Sequence, residues 1–321
     1  MRIGLTVPTP GENPDLSALL AAMERADGHG LHAVWMPNVS SRGFDAAMAL
    51  ALAGPRTRQI ELGTFVVPTF TRHPVVMAQQ ALTAQAATGG RFILGIGLSH
   101  RVAMEGQLGF DFSRPVRHMR EYLTCLTALF EGRTVDFTGE EFRIHNFTLT
   151  PPPGVVPPPI LVAALGPQML RLAGRLSAGT AIWVGGPRYV GEAAKVIGAA
   201  AHEAGRPTPR VLASVPVCVT DHGKAVREAA ARFFARYGQL PSYRAILDKE
   251  GVGGAEEVAL IGDEATVRDG IAAFAAAGAT DFSAAVFAPP GEDAERTLAL
   301  LATAARDAAP NRADRRSSGS A

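Results

Sequence analysis

The stretch from Gly63 to His100 constrains what this chain can fold into more than any other. It opens on an apolar, β-branched run, Gly63 to Val67, that Pro68 ends. Pro74 then suits a first helical turn, where its missing N–H would be unpaired anyway. Val75, Ala78, Leu82 and Ala86 recur every three or four residues, so one helix face is apolar and should lie on the strands. Gly89 and Gly90 end the helix, as left-handed C-cap positions favour glycine. Arg91 to Gly97 is a second continuously apolar strand, and it runs directly into Leu98, Ser99 and His100. Strand, crossover helix and strand make one unit of a parallel sheet. Parallel α/β sheets and barrels place their chemistry at the carboxyl ends of strands. His100 therefore stands where a catalytic or ligand-binding group belongs, although a histidine that merely caps a loop fits the same spacing.

The same rhythm extends in both directions. Strands are expected at Arg2 to Val7, Leu31 to Met36, Gln59 to Val67, Arg91 to Gly97, Ile160 to Ala163, Ala181 to Val184, Val211 to Val219 and Asp281 to Val286. Helices are expected between them, including Asp15 to His29, Asp45 to Ala53, Ser113 to Phe130 and a helix capped by Asp263. Two segments interrupt the rhythm. Arg133 to Thr150 alternates around Gly139 and reads as a β-hairpin after the fourth unit. Gly223 to Lys249 reads as a helical insertion after strand seven, with Tyr237 and Tyr243 near the barrel mouth. Eight strand–helix units with two insertions predict a single (β/α)8 TIM barrel over residues 1–310, with a disordered tail at 311–321.

Composition narrows the function. A net charge of +1 and scattered arginines exclude a nucleic-acid surface, and no metal site is expected. Cys125 and Cys218 lie far apart and read as buried thiols. No run is long enough to span a membrane, and the first residues form a strand rather than a signal peptide, so a cytoplasmic protein is expected. Gly166-Pro167 follows the fifth strand and Gly185-Gly186-Pro187 follows the sixth. Each presents free backbone N–H groups at a helix N-terminus, the arrangement that suits a phosphate.

The segments RIGL, AVWMPN, GTFVVPTFTRHPVVMAQQALTAQAATGGRFILGIG, TVDFTGEEFRI, ALGPQMLRLAG and AGTAIWVGGP, from Arg2 to about Pro187, resemble the luciferase-like monooxygenase superfamily. Within it they are most similar to the coenzyme F420-dependent oxidoreductases, and IGDEATVRDGI agrees more weakly. The resemblance implies a barrel that binds a deazaflavin or flavin end-on. The ring would meet Asn38, Thr64, Phe65 and Val66, with a non-proline cis peptide at Phe65–Val66. Gly97, Leu98, Ser99 and Trp183 would lie beside it, Trp183 as a wall. The phosphate would rest on Leu165, Gly166 and Pro167, with Gly185 and Gly186 close by.

Two positions depart from better-known relatives. Asn38 stands where many have a histidine or aspartate, and asparagine cannot relay a proton. His100 stands where deazaflavin enzymes carry a proton-donating glutamate, and an imidazole there is able to protonate substrate. His73 would cap or pack.

The resemblance implies hydride transfer between the deazaflavin C5 and a small organic substrate, as a reductase or dehydrogenase. The alternative is an FMN-dependent monooxygenase that takes reduced flavin from a separate flavin reductase. A third reading is a barrel that binds a ligand without catalysis. Cations able to hold the oligoglutamate tail of F420 would favour the first, with Arg42, Arg72 and Arg101 as candidates. An exposed apolar helix face would permit a homodimer.

Overall fold

The computed structural model describes residues 1–39 and 41–308, so the tail expected at 311–321 lies outside the described residues. Twelve strands occur among the described residues. They are β1 (Arg2–Thr6), β2 (Ala33–Met36), β3 (Glu61–Thr64), β4 (Val67–Pro68), β5 (Phe92–Gly97), β6 (Thr134–Thr138), β7 (Arg143–Thr148), β8 (Ile160–Ala163), β9 (Gly179–Trp183), β10 (Arg210–Val219), β11 (Leu260–Gly262) and β12 (Asp281–Val286). β1, β2, β3, β5, β8, β9, β10 and β12 pair in that order, all parallel, and β12 returns to β1. This closed ring is the expected (β/α)8 barrel.

The surrounding helices are α1 (Leu16–Gly28), α2 (Ala46–Ala53), α3 (Pro74–Ala87), α4 (Arg101–Met104), α5 (Pro115–Phe130), α6 (Pro167–Leu176), α7 (Pro187–Glu203), α8 (Gly223–Phe234), α9 (Pro241–Glu250), α10 (Ala255–Val258), α11 (Glu264–Ala276) and α12 (Ala294–Ala308). Local chemistry sets their starts. The carboxylates of Asp15, Asp45 and Asp263 accept from the N–H groups of Ala18, Met48 and Thr266, satisfying donors that the helix itself leaves unpaired. His73 caps α3 in the same way through Nδ1, so it is structural. Cys125 and Cys218 are buried free thiols.

The third strand differs from the expected Gln59 to Val67. β3 ends at Thr64, a cis peptide follows at Phe65–Val66, and pairing with β5 resumes only at β4. Glycine makes room for this bulge. A Cβ at Gly95 would stand 2.0 Å from the Thr64 carbonyl oxygen, and one at Gly97 would stand 2.6 Å from Val66 Cγ2. Strand β11 and the short helix α4 were not anticipated. β11 extends the sheet beyond the carboxyl half of β10, and three residues are too few to show a period.

Side chains fill the barrel below its mouth. Trp35, Ile93, Leu161, Ala181 and Leu212 form one buried cluster inside the ring. Trp35 occupies space that only glycine leaves open, since a Cβ at Gly63 would approach its ring to 2.2 Å. Thr6, Ser214 and Ser283 satisfy one another nearby, with Thr6 Oγ1 2.9 Å from Ser283 and 3.4 Å from Ser214. At the amino end, Arg210 binds Asp281 and Glu61, and Glu61 also binds Arg2, which ties β1, β3, β10 and β12 together. A packed interior closed at that end leaves the carboxyl end as the place where a ligand enters.

The hairpin β6–β7 stands outside the ring. Its turn is held by the buried Glu121 of α5, whose carboxylate accepts from the backbone N–H groups of Glu140, Glu141 and Phe142 at 3.2, 2.8 and 3.1 Å.

Candidate active site

At the carboxyl end of β5 the chain turns through Ser99 in the left-handed region (φ 60°) and delivers His100 to the start of α4. The His100 side chain makes no capping hydrogen bond, so a loop-capping role does not account for it. Its ring lies 5.7 Å from Tyr243, Tyr243 lies 5.0 Å from Tyr237, and Tyr237 lies 5.9 Å from Trp183. Phe65, at the cis bulge, meets Trp183 edge-on at 6.4 Å. An aromatic arc thus runs from β5, across the helical insertion, to β9 and back to the bulge after β3. The insertion brings Tyr237 and Tyr243 to the mouth, as expected.

This environment sets the protonation states. Burial of the half-buried His100, aided by the positive charge of Arg236, lowers its pKa below the ordinary histidine value. Burial raises the Tyr243 and Tyr237 phenols, so both stay protonated as donors. The buried indole N–H of Trp183 has no hydrogen-bond acceptor among the described residues. The Tyr237 hydroxyl is close enough to feel this donor, which offsets part of the burial effect on the phenol. A buried donor left without an acceptor costs about 1–3 kcal/mol, so an acceptor from a bound ring would be favoured here.

The two glycine-led helix starts differ. At α6, Gly166 is an N-cap without a side-chain hydrogen bond, it is exposed, and a Cβ there would meet nothing within 4 Å. At α7 the corresponding position is taken. Glu250 of α9 accepts from the N–H groups of Arg188 and Tyr189 at 3.1 and 2.8 Å. A Cβ at Gly186 would stand 2.4 Å from its carboxyl carbon, and one at Gly185 would strike Ile182 and Tyr189. Gly185 and Gly186, expected close to the phosphate, thus lie at a helix start that an internal carboxylate already engages. Leu165 lies next to the open site, where its carbonyl accepts from the buried Tyr189 hydroxyl.

Other expected contacts are also reassigned. The Thr64 hydroxyl is fully buried and exchanges hydrogen bonds with both backbone groups of Gly95, so it holds β3 to β5. Asn38 Oδ1 accepts from Ala46 N at 2.9 Å, which ties its side chain to the start of α2 and leaves its amide nitrogen and one oxygen lone pair for a ligand. Gly97 is buried under Val66, whereas Leu98 and Ser99 are half-exposed beside His100. Arg72 pairs with Asp45, Arg101 with Glu105, and Arg42 with the Glu12 carbonyl. A cation whose charge acts on His100 and Tyr237 is Arg236, which sequence reasoning missed. Its signal was present in the adjacent Tyr237, but a helical insertion does not reveal which of its faces turns inward.

The molecule is thus a (β/α)8 barrel whose candidate site lies at the carboxyl ends of its strands, above a packed interior. The chain matches the luciferase-like monooxygenase family over residues 1–281 and belongs to that family. It is 32% identical over 225 residues to the F420-dependent hydroxymycolic acid dehydrogenase of Mycobacterium tuberculosis, covering 66% of this chain and 61% of that one. Among solved structures, an F420-dependent secondary alcohol dehydrogenase bound to an F420-acetone adduct superposes with a TM-score of 0.77 at 19% identity, covering 94% of this chain and 97% of the other. The oxygenating constituent of 3,6-diketocamphane monooxygenase from Pseudomonas putida, bound to FMN, superposes with a TM-score of 0.74 at 19% identity, covering 97% and 98%. At these identities the structural likeness is one of fold.

Proposed function

We propose that this protein is an F420-dependent oxidoreductase that moves a hydride between the deazaflavin C5 and a small organic substrate. The observation that carries the reading is the uncapped imidazole of His100 in an aromatic mouth that also holds an indole N–H without an acceptor among the described residues. The F420-dependent name of the mycobacterial relative supports the choice of cofactor.

The residues present fit a deazaflavin. Phe65, Val66 and Trp183 would flank the ring, the Trp183 N–H would donate to one of its acceptors, and the open start of α6 at Gly166 and Pro167 would take the phosphate. The bound cofactor would supply hydride transfer, which no protein side chain provides. His100 would handle the proton. Its lowered pKa keeps both ring nitrogens free of a positive charge at neutral pH, so it accepts a proton from a substrate hydroxyl as that carbon loses hydride. In the reverse direction the same nitrogen returns the proton to the carbonyl oxygen. His100 is thus the base in the oxidative direction and the expected proton donor in the reductive one. Tyr237 and Tyr243 stay protonated and orient the substrate as neutral donors.

A second reading, an FMN-dependent monooxygenase supplied by a flavin reductase, keeps support from the FMN-bound structural neighbour. Titrating the protein with F420 and, separately, with FMN at low and moderate salt decides between them. Tight, salt-sensitive F420 binding with weak FMN binding is expected, and the opposite preference would overturn the F420 reading. A homodimer is also proposed, from the exposed Met48 and Leu52 on one face of α2 and Val76 on the adjoining α3. Light scattering checks it.

A further inference from the structure

Several arginines on the loops and helices around the mouth are engaged by internal partners. Arg72 pairs with Asp45, Arg101 with Glu105 at 2.9 Å, and Arg42 donates to the Glu12 carbonyl at 2.6 Å. Arg244, on α9, pairs with Asp248 at 2.7 Å. Arg236 forms no such pair among the described residues and is exposed. It lies in the short 3-10 turn Ala235–Gln239 that joins α8 to α9, directly before Tyr237.

The surroundings of Arg236 are those of a recognition site. Tyr237 touches Trp183 and Tyr243, and Tyr243 touches His100, so the turn carrying Arg236 borders the reacting group. Its charge reaches the His100 ring, where it opposes protonation. Two protonated phenols and an indole N–H without an acceptor among the described residues add three donors. A cation among donors over an aromatic wall lacks one component, an oxyanion attached to a planar or apolar body.

We propose that Arg236, with Tyr237 and Tyr243, forms the subsite for an anionic group of the substrate, and that the substrate is a carboxylate- or phosphate-bearing molecule whose apolar part lies on the aromatic arc. The inference rests on the mouth being the active site. The same anionic chemistry also exists in the tail of the F420 cofactor, so the test separates the two sources.

Benzoate serves as the probe and benzyl alcohol as its uncharged control. Wild type and Arg236→Gln are titrated with each, following tryptophan fluorescence and the His100 imidazole resonance, which His100→Gln assigns. F420 is titrated against the same two proteins. Benzoate should perturb both signals in wild type, and Arg236→Gln should weaken it by about tenfold or more while changing the F420 dissociation constant by less than about threefold. Arg236 is exposed, so the variant should fold, and Arg236→Lys should retain part of the affinity. Benzoate affinity equal in both proteins, or an unperturbed His100, overturns the proposal. So does an F420 affinity about tenfold weaker in Arg236→Gln, which would assign the charge to the cofactor tail. If wild type binds benzoate as expected but does not bind F420, the cofactor reading fails and the anion subsite stands.

Discussion

At the scale of single residues, two histidines show how burial chooses a role. The His100 ring makes no hydrogen bond among the described residues and sits in the mouth, so its imidazole is available to chemistry. Replacing it with Gln should slow turnover by about 100-fold or more while cofactor affinity changes little. A variant with wild-type turnover would remove it from the reaction. Alcohol oxidation should weaken as pH falls through the lowered His100 pKa, because the protonated ring no longer accepts a proton. His118 is buried against Phe70, ring to ring at 3.9 Å, with Nε2 3.0 Å from Thr69 Oγ1. Burial pushes its pKa down to about 4, against the nearby Glu121 charge. Its folded-state pKa lies below the unfolded value, so the unfolded chain binds more protons between about pH 6.5 and 4. The stability it contributes is therefore full above that window and is lost as pH falls through it, at most about 3 kcal/mol. His118→Phe should flatten the pH dependence of urea unfolding in this window. An unchanged slope would mean that other groups carry it.

At the scale of elements, the decisive contrast is between two helix starts that look alike in sequence. Gly166-Pro167 and Gly186-Pro187 each follow a strand, yet α6 is open and α7 is capped by Glu250. Gly166→Asp would place a carboxylate where a phosphate is proposed to bind. It should weaken F420 by about tenfold while leaving thermal stability equal or slightly higher, since aspartate is a good N-cap. Glu250→Gln should do the reverse, lowering stability by about 1 kcal/mol with cofactor affinity unchanged. Thermal unfolding and fluorescence titration of the same pair of variants read both effects. Unaltered F420 binding in Gly166→Asp would exclude the α6 start as the phosphate site.

At the scale of the whole molecule, the barrel is closed below by charge and above by aromatic side chains. Asp281 is nearly inaccessible and depends mainly on Arg210, with Arg2 at 3.7 Å. Arg210→Met should destabilise the fold by about 3 kcal/mol, because it leaves a buried carboxylate short of a partner. Urea unfolding measures this, and a loss below about 1 kcal/mol would show that Arg2 compensates. Much of the architecture was legible in the sequence by itself. Periodicity located the eight barrel strands, because strands buried on both faces read as continuous apolar runs whatever their neighbours are. The same local signals identified the hairpin, the inserted helices and the cap at Asp263, and the strand-end rule placed His100 at the mouth. Tertiary structure alone decided which polar groups are free. Glu250 lies 64 positions from Gly186 along the chain (250 minus 186) yet fills its helix start. Thr64 and Asn38 spend their oxygens on Gly95 and Ala46, and Arg72 pairs with Asp45, while Arg236 forms no ion pair among the described residues. Periodicity follows from each segment's own backbone geometry, whereas the availability of a donor or charge depends on partners that only folding brings within reach.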